Sequence, residues 1–349
     1  MKTIITSLVM FICLLALNAS ATVHTVSNYL PVPAQYTTIN AAITAASVGD
    51  TIYVHGSPTS YATTIITKRL VLIGAGYNPK NDFPYVSQVW TSINIYPAAS
   101  GSTFFGMCCQ GIAMMGGVAA DTFMNLTFRG CQLYQGNFNI GNRNYSNILI
   151  ENCIFMESYS VSALGGTVQF GLVIRNCIFS NYKVDVQSNT IVDHCIFIGS
   201  NTTFRAFQNC ANSTFSNNIF HSRAINAADA VNCIFNNNLT YNCSNNTLPL
   251  AGNSGTGNIS NLDPLFVTYP AAPTNVAFTH NYRLQTTSPG HLAATDGTDL
   301  GIYGLNFLFS MTGEPAFVPV MRKLDIYNNT VPFNGTLDIR YKSSVPVRD

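Results

Sequence analysis

Residues 148–155 read ILIENCIF, residues 172–179 read LVIRNCIF and residues 190–197 read TIVDHCIF. The same frame extends back to residues 126–133 (LTFRGCQL) and forward to residues 213–220 (STFSNNIF) and 228–235 (ADAVNCIF). One column of this alignment holds Cys131, Cys153, Cys177, Cys195, Asn218 and Cys233. Its steps are 22, 24, 18, 23 and 15 residues. A period of about 20 residues or more marks a solenoid of stacked supersecondary units.

Within each unit, alternation sets two short strands around a bend. Ile148 and Ile150 point inward, and after the bend Cys153 and Phe155 point inward again. The same rule selects Leu126, Phe128, Cys131 and Leu133, then Leu172, Ile174, Cys177 and Phe179. The bend column is Gly130, Asn152, Asn176, His194, Asn217 and Asn232. Asn and Gly tolerate left-handed backbone, and stacked Asn amides are able to hydrogen-bond from coil to coil. β-Branched and aromatic residues without a helical period support strands. The expected fold is all-β: one single-stranded right-handed parallel β-helix with cysteines stacked in its interior.

Composition fits this reading. Charged residues are 9% of the 349-residue chain against an ordinary level of about 25%, and the formal net charge is +1. Nucleic-acid binding is not expected, because phosphate recognition needs clustered Lys and Arg. With 47% apolar residues, charge-driven disorder is not expected either. Bends filled with Asn and Gly, and outer faces filled with Thr and Ser, leave few positions for charge. From Asn125 to Cys243 the only acids are Glu151, Glu157, Asp185, Asp193 and Asp229.

The N-terminus reads as a targeting signal. Lys2 precedes a ten-residue apolar run, residues 8–17, and then Ala19-Ser20-Ala21. That run is shorter than the roughly 20 residues a membrane span needs, and small-x-small predicts cleavage between Ala21 and Thr22. The mature chain is therefore expected to be secreted, or at the cell surface or in the periplasm, with no transmembrane span. It would carry nine cysteines, an odd number that leaves at least one thiol unpaired within a chain. No paired metal-ligand spacing occurs, so zinc is not expected.

Residues 36–54 (YTTINAAITAASVGDTIYV), followed by residues 70–76 (LVLIGAG), resemble the opening of pectin-lyase-like right-handed parallel β-helix proteins. In that family a short helix caps the N-terminal end. Here Ile39, Ala42, Ile43 and Ala46 fall on one helical face, and Gly49-Asp50 ends it. Residues 263–267 (DPLFV), 282–284 (YRL) and 295–304 (TDGTDLGIYG) resemble the closing coil of secreted bacterial members. The tail from Pro315 resembles a segment following such β-helices in Bacteroidetes-like proteins, with VPFNG (331–335) as a hairpin turn. The implied organisation is a signal peptide over 1–21, the β-helix over 22–310 and a C-terminal β-hairpin tail over 311–349. The resemblance implies a fold more than an activity, since the superfamily holds lyases, hydrolases, adhesins and proteins of no known activity.

Two constellations carry candidate chemistry. Before the bend column stand Arg129, Glu151, Arg175 and Asp193, whose alternating signs predict a ladder of ion pairs between coils about 4.8 Å apart. Glu151 and Asp193 are the alternative, an acid/base pair of an inverting hydrolase. The second constellation follows the Cys-Ile-Phe strands. Glu157, Tyr159, Tyr182, His221 and Arg223 are expected to bind a polysaccharide or cell-surface glycan, aromatic planes with a few charges suiting sugars. Lys183, Asp185 and Arg205 are the weak catalytic candidates, with Lys or Arg as the base of a β-elimination. Calcium would assist only if the protein were a lyase, and no other metal or cofactor is expected. The acidic and Arg motifs of pectate lyases and the paired aspartates of polygalacturonases are missing. The expected function is therefore an exported β-helix protein that binds glycan through its lateral face. A divergent polysaccharide lyase or glycoside hydrolase is the alternative.

The column after the cysteines points outward and holds Ile154, Ile178, Ile196, Ile219 and Ile234. An apolar stripe of this kind marks contact. The C-terminal tail or an irregular loop is the favoured cover, and a protein partner is the alternative.

Overall fold

A computed structural model of the chain describes residues 21–78, 85–116, 121–157, 159–164, 169–186, 189–305, 309–315, 320–326, 336 and 339–344. The apolar N-terminal run and the VPFNG turn lie outside these residues. Among the described residues no helix is long and apolar enough to cross a membrane.

The structure is a parallel β-solenoid. An 11-stranded sheet runs from Val23–Val26 to Ile234–Asn236, one strand per coil along its path. A 13-stranded sheet makes the other two faces, joined at Cys108–Met114. That strand pairs with Gln132–Leu133 near its start and with Phe138–Gly141 near its end. Each coil therefore turns three corners. The bend residues expected from the sequence are all left-handed, from φ 48° at His194 and Asn176 to φ 60° at Gly130 and Asn217. A second corner repeats the device at Asn125, Asn147, Gly171, Asn189, Asn212 and Asn232. Asn serves because its short polar side chain lowers the cost of a backbone that most L-residues avoid.

Side chains stack at the coil spacing. Phe155, Phe179 and Phe197 lie with ring centroids 4.8 and 4.6 Å apart and planes within 7°. Phe104 and Phe128 stack at 4.8 Å. Each such ring, wholly buried, contributes about 1.5–3 kcal/mol. Cys131, Cys153, Cys177 and Cys195 line the interior as expected, and all nine cysteines among the described residues are buried free thiols. Their Sγ atoms approach backbone carbonyls, as Cys177 Sγ does at 3.1 Å from Arg175 O. A thiol is the small inward group that also donates weakly to the corner carbonyl beside it.

The last coil departs from the sequence alignment. Phe215 pairs with Phe235, and Asn218 stacks on Asn238, not on Cys233. Cys233 follows a different corner, after Asn232. Asn209-Cys210 and Asn242-Cys243 also follow left-handed corners. An Asn-Cys step therefore marks a corner without saying which one.

The coil-to-coil amide ladder also lies elsewhere than expected. It is interior: Asn218 Nδ2 donates to Asn238 Oδ1, and Asn238 Nδ2 to Asn258 Oδ1, both at 3.0 Å. Several bend asparagines face outward and hold another segment instead.

That segment covers the isoleucine stripe. The parallel pairing ends with the bridges Ile234↔Ser254 and Leu239↔Ile259. Residues 263–305 and 309–314 form no further coil. They make a short antiparallel pair, Phe266–Thr268 with Asn281–Leu284, and then run back along the second face toward the N-terminal end. Asn237 Nδ2 donates to Ala293 O, Asn217 Nδ2 to Thr295 Oγ1, and Asn176 Nδ2 to Ile302 O. Tyr77 N donates to Thr312 O. This strap buries Phe266, Tyr282, Leu300, Ile302, Phe309 and Met311 against Ile154, Ile178, Ile196 and Ile219. Gly301, at φ 80°, sits where a Cβ would come 3.0 Å from Ile196 and Ile219. Ile154, Ile178, Ile196 and Ile219 are thus closed to a partner by the chain itself. Ile234 belongs to the first face and is 41% exposed.

The ends are also closed or marked. The helix Ile39–Ala45, N-capped by the Thr38 hydroxyl, buries Ile39, Ala42 and Ile43 against the first strands. Val320–Ile326 pairs antiparallel with Ile339–Ser344, a two-stranded tail sheet.

Candidate functional site

The first face carries the charge ladder. Glu151 is wholly buried between Arg129 and Arg175, with Arg175 Nη2 at 2.7 Å from Oε2. The ladder stops there. Asp193 accepts from Ser216 Oγ at 2.7 Å and from Asn217 Nδ2 at 2.8 Å, and faces His194 Nδ1 at 3.2 Å. Burial opposes the Asp193 charge, but these hydrogen bonds and His194 outweigh it and hold the carboxyl below its ordinary range. Glu151 is out of solvent and Asp193 is fixed at a bend.

The glycan candidates divide into two groups. Tyr182, His221 and Arg223 are core residues, buried rather than set on the lateral face where the sequence reading placed them. The Tyr182 hydroxyl donates to Gly136 O and accepts from Phe138 N, and its ring packs on Phe155. His221 is buried among Tyr241, Phe266 and Tyr269 of the last coil and the strap, and burial lowers its pKa. Arg223 is 0% exposed and donates to Ile198 O, Tyr182 O and Arg205 O. The loop alternation breaks at these positions because inward and outward residues interchange wherever a corner inserts a residue.

Tyr159, Lys183 and Arg205 come together. With Asn181, Thr203 and Phe204 they line an open pocket of about 200 Å³ at the corner leading into the third face. Tyr159 is 39% exposed, and Glu157 lies exposed at the preceding left-handed corner, φ 72°. The two cations are partnered. Lys183 Nζ lies 3.2 Å from Asp185 Oδ2 and donates to Gln208 Oε1, and Arg205 Nη1 lies 2.8 Å from Asp229 Oδ1. Asp185 also accepts from Asn209 at 2.9 Å. Lys183 and Asp185 thus form a local pair within one strand, bonded to the next coil through Gln208 and Asn209. Among the described residues no group of three His, Cys, Asp or Glu side chains could hold a metal ion.

Further up the same corner lies a groove that the repeat alignment misses. It holds about 280 Å³ and is lined by Thr91, Ser92, Gln110, Gly111, Gln135 and Asn137, among others. Register places it in line with the pocket. Ile93 pairs with Ile112, Ile112 with Phe138, Phe138 with Val161, Val161 with Val184, and Val184 with Phe207. Trp90, Gln110, Gln135, Tyr159 and Arg205 each precede one of these by two or three positions. A register shift between Val89 and Ser92 bulges the strand where Trp90 sits, and Trp90 is 59% exposed. The repeat was legible only from Leu126 onward, so these coils escaped it. One signal was available: Gln110-Gly111 returns as Gln135-Gly136 one coil later.

Asp296 Oδ1 accepts from Thr298 N at 3.1 Å, an Asx turn, and Asp299 Oδ1 accepts from Leu292 N while facing His291. In comparisons with known proteins, no family model and no curated protein matches this chain.

Proposed function

We propose that this protein is an exported glycan-binding β-helix whose sugar site is the open corner around Tyr159, Lys183 and Arg205. One observation carries the reading. The second face is covered by the strap, yet this corner presents a half-open aromatic ring beside amide, hydroxyl and paired charged groups. Sugars bind by stacking apolar faces on aromatic rings while a few fixed polar groups take their hydroxyls. The Lys183–Asp185 pair, bonded to Gln208 and Asn209 of the next coil, and the Arg205–Asp229 pair between coils hold those polar groups in place. For a lyase, Lys183 or Arg205 would have to act as a base, and Lys183 Nζ is committed to Asp185 and Gln208 and Arg205 Nη1 to Asp229.

The test is retention of the mature protein in affinity gels containing neutral polysaccharides (galactomannan, β-glucan) or acidic ones (polygalacturonate, alginate). Tyr159→Ala and Arg205→Ala are expected to abolish retention on at least one polymer. Retention of both variants equal to wild type on every polymer, or accumulation of unsaturated products, would overturn the proposal.

A further inference from the structure

We infer that the groove beside Trp90 is a subsite for an uncharged, hydroxyl-rich sugar chain laid along the axis of the solenoid. This inference rests on the glycan reading above and names its substrate class.

The lining decides the class. Every residue of the groove is neutral: Thr91, Ser92, Gln110, Gln135, Asn137 and Asn139 supply its polar side chains. An anionic polymer entering it would lose hydration and find no cation to replace it. Hydroxyls donate and accept at once, and carboxamides offer both roles side by side. The internal hydrogen bonds leave suitable groups over. Gln110 Nε2 donates to Gln135 Oε1 at 3.3 Å, which leaves Gln110 Oε1 to accept and Gln135 Nε2 to donate. Asn137 Oδ1 accepts from Ser160 N at 2.9 Å, which fixes the amide and leaves its Nδ2 to donate.

Backbone shape gives the groove its floor. A Cβ on Gly111 would lie 2.9 Å from Asn137 O, and one on Gly136 2.9 Å from Gln110 O. The two coils approach closely only because both positions lack side chains. The floor is therefore bare backbone where these two coils meet, in a groove whose lining spans three coils, about 10 Å along the axis. Trp90, next in sequence to Thr91 and opposite Gln110 at the strand bulge, supplies the exposed ring on which a sugar stacks.

Trp90 is the only tryptophan in the chain, so tryptophan emission excited at the red edge, beyond tyrosine absorption, reports on the surroundings of Trp90 alone. The experiment titrates the full mature chain with cellohexaose, mannohexaose and hexagalacturonate. It follows Trp90 emission and, in parallel, heat by calorimetry. The expected result is a saturable emission shift with a neutral hexaose, insensitive to salt. In calorimetry Trp90→Ala should weaken that binding at least about tenfold, and Gln135→Ala about 2–10-fold, the range of one lost hydrogen bond. Unchanged far-UV circular dichroism and unreactive cysteines certify that the variants are folded. Neutral binding that survives Trp90→Ala overturns the inference. So does hexagalacturonate binding that leaves Trp90 emission unmoved and is lost in Lys183→Ala or Arg205→Ala; the glycan reading itself would then stand. Binding of none of the three hexaoses, together with no gel retention, defeats both.

Discussion

Ile178→Ala tests whether the strap closes the second face. Ile178 is 0% exposed and sits in register between Ile154 and Ile196 under Phe266, Tyr282, Leu300, Ile302, Phe309 and Met311. The substitution removes three carbons. At about 0.8 kcal/mol per buried methylene the transfer loss is about 2.4 kcal/mol. The cavity left between strap and sheet raises the expected cost to about 2–5 kcal/mol. Ile234, an outward isoleucine in the same sequence column, is 41% exposed on the first face, so Ile234→Ala should cost under about 1 kcal/mol. Urea unfolding followed by far-UV circular dichroism, compared at equal slope, reads both. A charge inside the strap, Ile302→Asp, should also raise binding of a hydrophobic dye while the β signal remains. Equal losses for Ile178→Ala and Ile234→Ala, or no new dye binding in Ile302→Asp, would refute the covered-stripe geometry.

Glu151→Gln leaves Arg129 and Arg175 without their shared carboxylate; since the arginines are about one-third exposed, about 1–3 kcal/mol of stability should go, with glycan retention unchanged. Asp50 accepts from Thr22 N, His24 Nε2 and Ser47 N, and these bonds hold its carboxyl at about 2 against an ordinary 3.8. The stabilisation it supplies is present above pH 4 and is lost as pH falls toward 2, so Asp50→Asn should flatten that limb of an acid-unfolding curve. The nine cysteines from Cys108 to Cys243 are buried free thiols, and burial pushes Cys243 up to about 11 and Cys108 to about 12. A thiol reagent at pH 8 should label none in the native protein and nine after unfolding, and a reductant should leave stability unchanged.

Local chemistry made much of the solenoid legible. Inward alternation at Ile148, Ile150, Cys153 and Phe155, and the left-handed preference of Asn and Gly, act within a few residues. They are written directly in each repeat, and the helix cap with buried Ile39, Ala42 and Ile43 was readable for the same reason. The candidate site was legible only in part. Tyr159, Lys183 and Arg205 do gather at one corner, while Tyr182, His221 and Arg223 turn inward. Which of three Asn-marked corners a residue occupies depends on the length of every preceding turn, so one inserted residue exchanges surface for core.

The sequence by itself determined that this chain stacks in parallel coils with a thiol and aromatic interior and little charge to spare. Only the tertiary structure decided which faces remain open. The strap's choice of the second face, and the alignment of Trp90, Gln110, Gln135 and Tyr159 on one edge, depend on contacts between residues far apart in the chain. Such contacts are set by how whole coils register, and no local pattern encodes that.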